Sequence, residues 1–109
     1  MSNVAGPFYI TAAGQIASIS TSDQSCVGVS VTGSFTGTLQ PGVTIGPNGP
    51  NAPVNTQVTP YGSSTAQNTI TAAGGFNANV AGTTTFQLSA TSLSVGTAVV
   101  YLVSSPAHI

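Results

Sequence analysis

The sequence contains no lysine, no arginine and no glutamate, and Asp23 is its only acidic residue. About a quarter of the residues of an ordinary soluble protein are charged, whereas the formal net charge here is -1 over 109 residues. Surface charge normally keeps a globular protein soluble and apart from other copies of itself. A chain without it is better suited to being one part of an assembly than a freely diffusing catalyst.

The missing cations exclude two kinds of partner. Proteins bind nucleic-acid phosphates with lysine and arginine, and they bind anionic membrane surfaces with the same side chains. No apolar run approaches the roughly 20 residues of a transmembrane helix. Residues 1–7 lack the positive region and the long apolar stretch of a secretory signal. We therefore expect no nucleic acid and no membrane as partners, and synthesis in the cytoplasm without an export signal.

Side chains that carry out catalysis or bind metals are almost absent. The groups available besides hydroxyls are Asp23, Cys26, His108 and three tyrosines, Tyr9, Tyr61 and Tyr101. They show no paired spacing of the kind that zinc sites use, and calcium would need several carboxylates. We expect no enzyme activity, no metal and no cofactor, with His108 in a terminal tail.

Cys26 is the only cysteine, so no internal disulfide can form. A free cysteine usually behaves as a small buried hydrophobic residue, and this is the interpretation we favour. An intermolecular disulfide across a symmetry axis is the alternative.

Short segments in which apolar and polar residues alternate predict an all-β protein. The period of two places alternate side chains on opposite faces of a strand, and the scattered glycines and prolines mark turns. Seven to nine short strands at this spacing predict an antiparallel β-sandwich, jelly-roll-like, in a single domain of residues 1–109. Residues 98–103 are apolar on both faces, so their strand should lie inside a sheet or under a partner. The clearest predicted strands are residues 26–32, 76–80, 84–90 and 97–104.

Two segments depart from this pattern. Residues 1–9 are predicted to be either an extended N-terminal arm or a frayed terminus. Residues 41–53 are predicted to be a loop rich in proline, glycine and asparagine, opened by a turn at Pro41 and Gly42. Pro47, Pro50 and Pro53 would each remove a hydrogen-bond donor from a sheet.

Four stretches resemble small β-sandwich proteins of tailed bacteriophages. They are AGGFNANVAG, FQLSAT and SVGTAVV in the C-terminal half, at residues 73–82, 86–91 and 94–100, and VSVTGSFTGTL at residues 29–39. The resemblance covers most of the chain except roughly residues 41–58, and it rests on structural rhythm rather than on catalytic motifs. It implies a virion component, most simply a capsid decoration (cement) protein on the capsid surface.

The function expected from composition and resemblance together is structural. The chain would bind the major capsid protein and itself, as a dimer or a trimer, and stabilise the phage head. Partner-binding residues are expected in the arm and the loop, with one exposed tyrosine beyond them: Phe8, Tyr9, Pro47, Asn48, Pro50 and Tyr61.

Two alternatives remain open from the sequence. One is a tail or fibre module that recognises a surface glycan, with Tyr61 and Tyr9 stacking on sugar rings and Asn48, Asn51 and Asn55 offering amides. The other is a subunit of an extracellular filament, in which the N-terminal arm adds a strand to the next copy.

Overall fold

The computed structural model describes residues 3–45 and 54–106, and these residues form nine β-strands. No helix long and apolar enough to cross a membrane occurs in this part of the chain. The strands are β1 (Asn3–Ile10), β2 (Ile16–Ser20), β3 (Cys26–Thr32), β4 (Phe35–Thr44), β5 (Val54–Asn55), β6 (Thr59–Pro60), β7 (Gly74–Asn79), β8 (Thr85–Gly96) and β9 (Ala98–Ser105).

The strands form two antiparallel sheets that pack face to face, which confirms the predicted β-sandwich. The five-stranded sheet has the order β1-β9-β3-β7-β6, and the four-stranded sheet has the order β2-β8-β4-β5. Strand β1 pairs with β9, β2 with β8, β3 with β7 and β4 with β5, as in one long hairpin. This hairpin is rolled up so that β9 also pairs with β3, and β8 also pairs with β4. Such a strand order is that of a jelly roll.

The core between the sheets is built by alternation along the strands. In β9 every second residue from Ala98 to Ser104 is buried, and in β8 the same holds from Phe86 to Ala90. Because the side-chain period of a strand is two, this alternation decides which face meets the other sheet. The largest fully buried apolar side chains are Phe86, Ile10, Leu39, Ile70, Leu88, Leu102, Val27, Val31, Val58, Val80 and Val100.

The predicted N-terminal arm is instead an edge strand of the five-stranded sheet. Strand β1 pairs with β9 from Asn3 to Ile10, with one irregularity between Ala5 and Phe8. Ala5 and Phe8 are partly buried against the core, and Ile10 is buried in it. Phe8 therefore anchors the strand to its own sheet, which leaves Tyr9 as the aromatic residue that β1 turns outward.

The predicted turn at Pro41 and Gly42 is continuous strand. Both residues are buried in β4 and pair with β8. The amide and carbonyl of Leu39 bond to Ile70, away from β8, and the carbonyl of Pro41, two residues on, accepts from Thr56. The backbone nitrogen of Pro41 thus faces away from β8, so the pairing of β4 with β8 loses no hydrogen bond. Residues 46–53 lie outside the described residues, and so do Pro47, Asn48 and Pro50.

Strand β8 is longer than the predicted strand of residues 84–90. It continues through residues 94–96 and pairs there with Phe35 and Thr36. Two register shifts, after Thr36 and after Thr38, let the long β4–β8 ladder bend. Strand β9 lies between β1 and β3, as its apolar character predicted.

The same substitution at two positions tests this division into core and surface. Val100 is fully buried, whereas Val95 is 68% exposed. Val100→Thr places an unpaired hydroxyl in the core and should lower the free energy of unfolding by about 1–3 kcal/mol. Val95→Thr keeps the β-branched shape in water and should change it by less than about 0.5 kcal/mol. Urea denaturation of both variants makes the comparison, and equal effects would contradict the assignment of faces.

Candidate functional site

The outward face of the five-stranded sheet carries an unusual set of side chains. The register places Val4, Val103, Gly28, Asn77 and Thr59 in one row across all five strands. A second row runs through Tyr101, Ser30 and Gly75. Neighbouring strands lie about 4.8 Å apart, so residues in one row are in contact range. Large side chains near β1 and β9 thus give way to glycines in the middle of the sheet.

This change in size creates a groove on the sheet. It has a volume of about 360 Å³, and its walls include Tyr61 on one side and Tyr101 with Val103 on the other. Gly28, Ser30 and Gly75 lie at its floor, and Cys26 and Ser105 at one end. Because two of the floor residues have no side chain, the Tyr61 side chain can lie close to the backbone of the sheet.

The Tyr61 side chain lies over Gly28 and Gly75. Its backbone amide donates to the carbonyl of Gly75 at 3.0 Å, which extends the pairing of β6 with β7 by one residue. Its ring edge, at Cδ2, lies 3.3 Å from the position that a Cβ would take at Gly75. Its hydroxyl lies 3.6 Å from the corresponding position at Gly28. The side chain is 64% exposed and forms a wall shared by the groove and two further depressions.

The depressions beyond Tyr61 include amides and hydroxyls in their lining, and the nearer one is still mostly apolar whereas the farther one is mostly polar. One, of about 290 Å³, lies between Thr59, Tyr61 and Ser63 on one side and Asn77 and Asn79 on the other. The next is lined by Asn55, Thr56, Gln57, Thr59, Ala66, Asn77 and Asn79. The surface therefore changes from apolar at the tyrosines to polar along β6 and β7.

Asn77 belongs to both of these polar depressions and has an unsatisfied atom. Its Oδ1 is buried and accepts a hydrogen bond from no group in the described part of the chain. The Oδ1 of Asn79, two residues on, accepts from the backbone amide of Ala81 at 3.1 Å. A buried acceptor without a donor is costly, and this atom is covered by the protein itself, so the unsatisfied bond is a cost to the fold.

None of the described residues that line the groove and its neighbouring depressions is charged. Asp23 lies in the turn between β2 and β3, exposed and with a left-handed φ of 64°. No cluster of three or more metal-ligating side chains occurs within residues 3–45 and 54–106. The site can therefore offer apolar contact and neutral hydrogen bonds.

The structure brings together only some of the residues singled out from sequence. Tyr61 is in the groove, and Asn55 lines the far polar depression. Tyr9 is exposed on the same sheet face but belongs to β1, outside the groove. Cys26, expected to be buried, is half-buried at the end of the groove. Asn48, Asn51, Pro47, Pro50 and His108 lie outside the described residues.

Sequence reasoning missed Tyr101 as a partner of Tyr61, and the glycines between them. In the sequence this strand is apolar on both faces, and the structure shows that the face with Val99, Tyr101 and Val103 is the outward one. What joins Tyr101 to Tyr61 is the pairing of β9 with β3 and of β3 with β7. That pairing connects residues far apart in the chain.

The fold and the groove together define a jelly-roll β-sandwich with an uncharged, tyrosine-walled surface site. No protein-family model matches the chain. No curated protein sequence matches it either. Among solved structures, it is similar to the crystal structure of the SPBc2 prophage-derived protein YomS, with a TM-score of 0.69 and 12% identity over 96% of each chain. At that identity, the likeness establishes a common fold.

Two glycine substitutions test the geometry of the groove floor. A Cβ on Gly28 would meet the Tyr61 hydroxyl at 3.6 Å and the Val103 carbonyl oxygen at 3.9 Å, which are ordinary contacts. Gly28→Ala should therefore fold normally and gain up to about 1 kcal/mol, because alanine loses less conformational entropy than glycine.

Gly37 is the matched position at which there is no room for an added Cβ. A Cβ there would overlap the Ser92 carbonyl oxygen and lie 2.8 Å from Leu93 Cα. Gly37→Ala should lower stability by about 1–3 kcal/mol. Thermal unfolding followed by circular dichroism distinguishes the two, and a loss at Gly28 as large as that at Gly37 would refute an open groove floor.

Proposed function

We propose that this chain is a structural component of a phage virion, and more specifically a capsid decoration protein that binds and stabilises the head. Two observations support a phage origin: the resemblance of four sequence stretches to phage β-sandwich proteins, and a fold similar to that of a prophage-derived protein. The proposed form is a homodimer or homotrimer seated on the major capsid protein.

The observation that carries the proposal is an exposed apolar patch on an uncharged sheet edge, which we call the edge patch. It consists of Val4 and Tyr9, which β1 turns outward and which are 70% and 62% exposed. Val4 lies beside Val103, and Tyr9 beside Val99, on β9. Exposed tyrosine on a rigid strand is typical of residues that dominate binding at interfaces.

The absence of charge around this patch favours association. Burying an ion without a partner costs several kcal/mol, and the described residues include a single ionised side chain, Asp23, outside the patch. A surface of hydroxyls and apolar groups therefore has a small desolvation cost when it is buried against a partner. Repetition on a symmetric shell then turns modest single contacts into strong retention through avidity.

Copy number and position on the particle test the proposed role. Cryo-electron microscopy of purified virions of the encoding phage should show the sandwich at symmetry-related positions over the shell. Regular capsid density supports decoration. A few copies at the tail would contradict it and favour a tail or fibre component, and absence from the virion would contradict both.

The edge patch makes a separate prediction for attachment. Tyr9→Ala should weaken binding of the purified protein to heads that lack it by about 2 kcal/mol, or roughly thirtyfold, because one central aromatic contact is lost. Tyr61→Ala is the matched comparison, since Tyr61 is similarly exposed at 64% but lies outside the patch, and a loss of binding there instead would assign attachment to the groove. Co-sedimentation with heads measures both. Equal binding of wild type and Tyr9→Ala would exclude β1 as the attachment surface.

A further inference from the structure

We propose that the groove between Tyr61 and Tyr101 is a binding site for a neutral oligosaccharide. This inference goes beyond the virion role, since it concerns a second surface of the same chain and is tested on the isolated protein. The site extends from the tyrosine-walled groove across Tyr61 into the polar depressions along β6 and β7.

The tyrosines supply the apolar part of such a site. A sugar ring has faces of C–H groups that pack against aromatic rings, and a rigid tyrosine provides contact area at low entropic cost. The backbone bond to Gly75 fixes the position of Tyr61 beside β7, and the edge of its ring lies against the glycine floor. Tyr101 lies across the groove from it and is 40% exposed. A sugar ring seated between them would pack against both tyrosine side chains, since Tyr61 itself lies over Gly28 and Gly75.

The amides supply the polar part. Sugar hydroxyls both donate and accept, and asparagine and glutamine side chains match them because each carries a donor and an acceptor group. Asn55, Gln57, Asn77 and Asn79 line the depressions that continue from Tyr61. Apolar and polar contacts are thus arranged in sequence, as an oligomer longer than one sugar unit requires.

The charge of the site restricts the ligand to a neutral one. Carboxylates and phosphates are recognised by arginine, lysine or helix N-termini, and the chain contains no arginine or lysine. Acidic glycans would have to bury a charge in this site without a counter-charge, whereas neutral hexose or N-acetylhexosamine oligomers have no such desolvation cost.

A neutral sugar fits better than a second copy of the chain. The groove is concave with amides at one end, while the exposed apolar side chains of the edge patch lie on β1, three strands away from β7. The edge patch adjoins the groove where Val4 lies beside Val103, but the amides on β7 are three strands from β1, about 14 Å at about 4.8 Å per strand. Capsid attachment through β1 would therefore leave the amide end of the site open to solvent.

The experiment starts with a glycan array that carries neutral, sialylated and uronic-acid oligosaccharides. The neutral hexose or N-acetylhexosamine oligomer that binds best is then titrated into ¹⁵N-labelled protein and followed by NMR. We expect shifts at Gly28, Gly75, Asn77 and Tyr101, with saturation near or below about 1 mM, a weak but specific affinity.

Matched variants locate the site. Tyr61→Ala and Tyr101→Ala should each raise Kd by about tenfold, as expected for the loss of one aromatic contact. Tyr9→Ala is the control and should leave Kd unchanged. Gly28→Leu fills the floor without removing either tyrosine, so it tests the groove even if a tyrosine variant fails to fold.

Three outcomes would overturn the proposal. The first is that no neutral oligosaccharide binds at about 10 mM, a concentration ten times the expected Kd. The others are binding of acidic glycans only, or a loss of sugar affinity in Tyr9→Ala as large as that in Tyr61→Ala. A change of molar mass by light scattering in Tyr61→Ala, without sugar binding by the wild type, would make the groove an interface between copies instead. The virion role is measured on particles through Tyr9, so either proposal can fail without the other.

Discussion

Strands β8 and β9 each lie inside a sheet, and the apolar side chains that both turn inward hold the two sheets together. Phe86, Leu88, Val100 and Leu102 are completely buried, and each such side chain contributes about 1.5–3 kcal/mol on burial. Only Thr97 separates the two strands, so one short connection carries the chain from one sheet to the other. The described residues contain no side-chain cation, so packing and backbone hydrogen bonds replace ion pairs throughout the sandwich.

Much of this fold could be predicted because alternation is a local signal. The strands around Val29, Ala78 and Leu88 were evident from period two, and the run around Val100, apolar on both faces, indicated the interior position of β9. Pro41 could not be placed in the same way, since its effect depends on which side of β4 its nitrogen faces. That side is decided by the pairing of β4 with β8 and by the bonds of Leu39, which connect distant parts of the chain.

The groove was less predictable than the fold, for a related reason. Tyr61 was recognised as exposed, but a tyrosine after a proline gives no sign of what lies beside it. Gly28 and Gly75 are weak strand residues when considered singly. They become a floor only because β3 and β7 pair in a register that places both under the Tyr61 ring. A site whose floor consists of glycines on two paired strands has no motif that a single sequence would reveal.

The rolled hairpin has a kinetic consequence. Among the described residues, β9 is the last strand in sequence and lies between β1, the first, and β3, so the five-stranded sheet cannot form until Ser105 has been synthesised. Topologies dominated by such distant contacts fold slowly, and until then the edges of β1 and β3 are open to other chains. Most proteins limit association at this stage by charge repulsion. In this chain the completion of one strand, rather than electrostatics, ends the interval in which misassembly competes with folding.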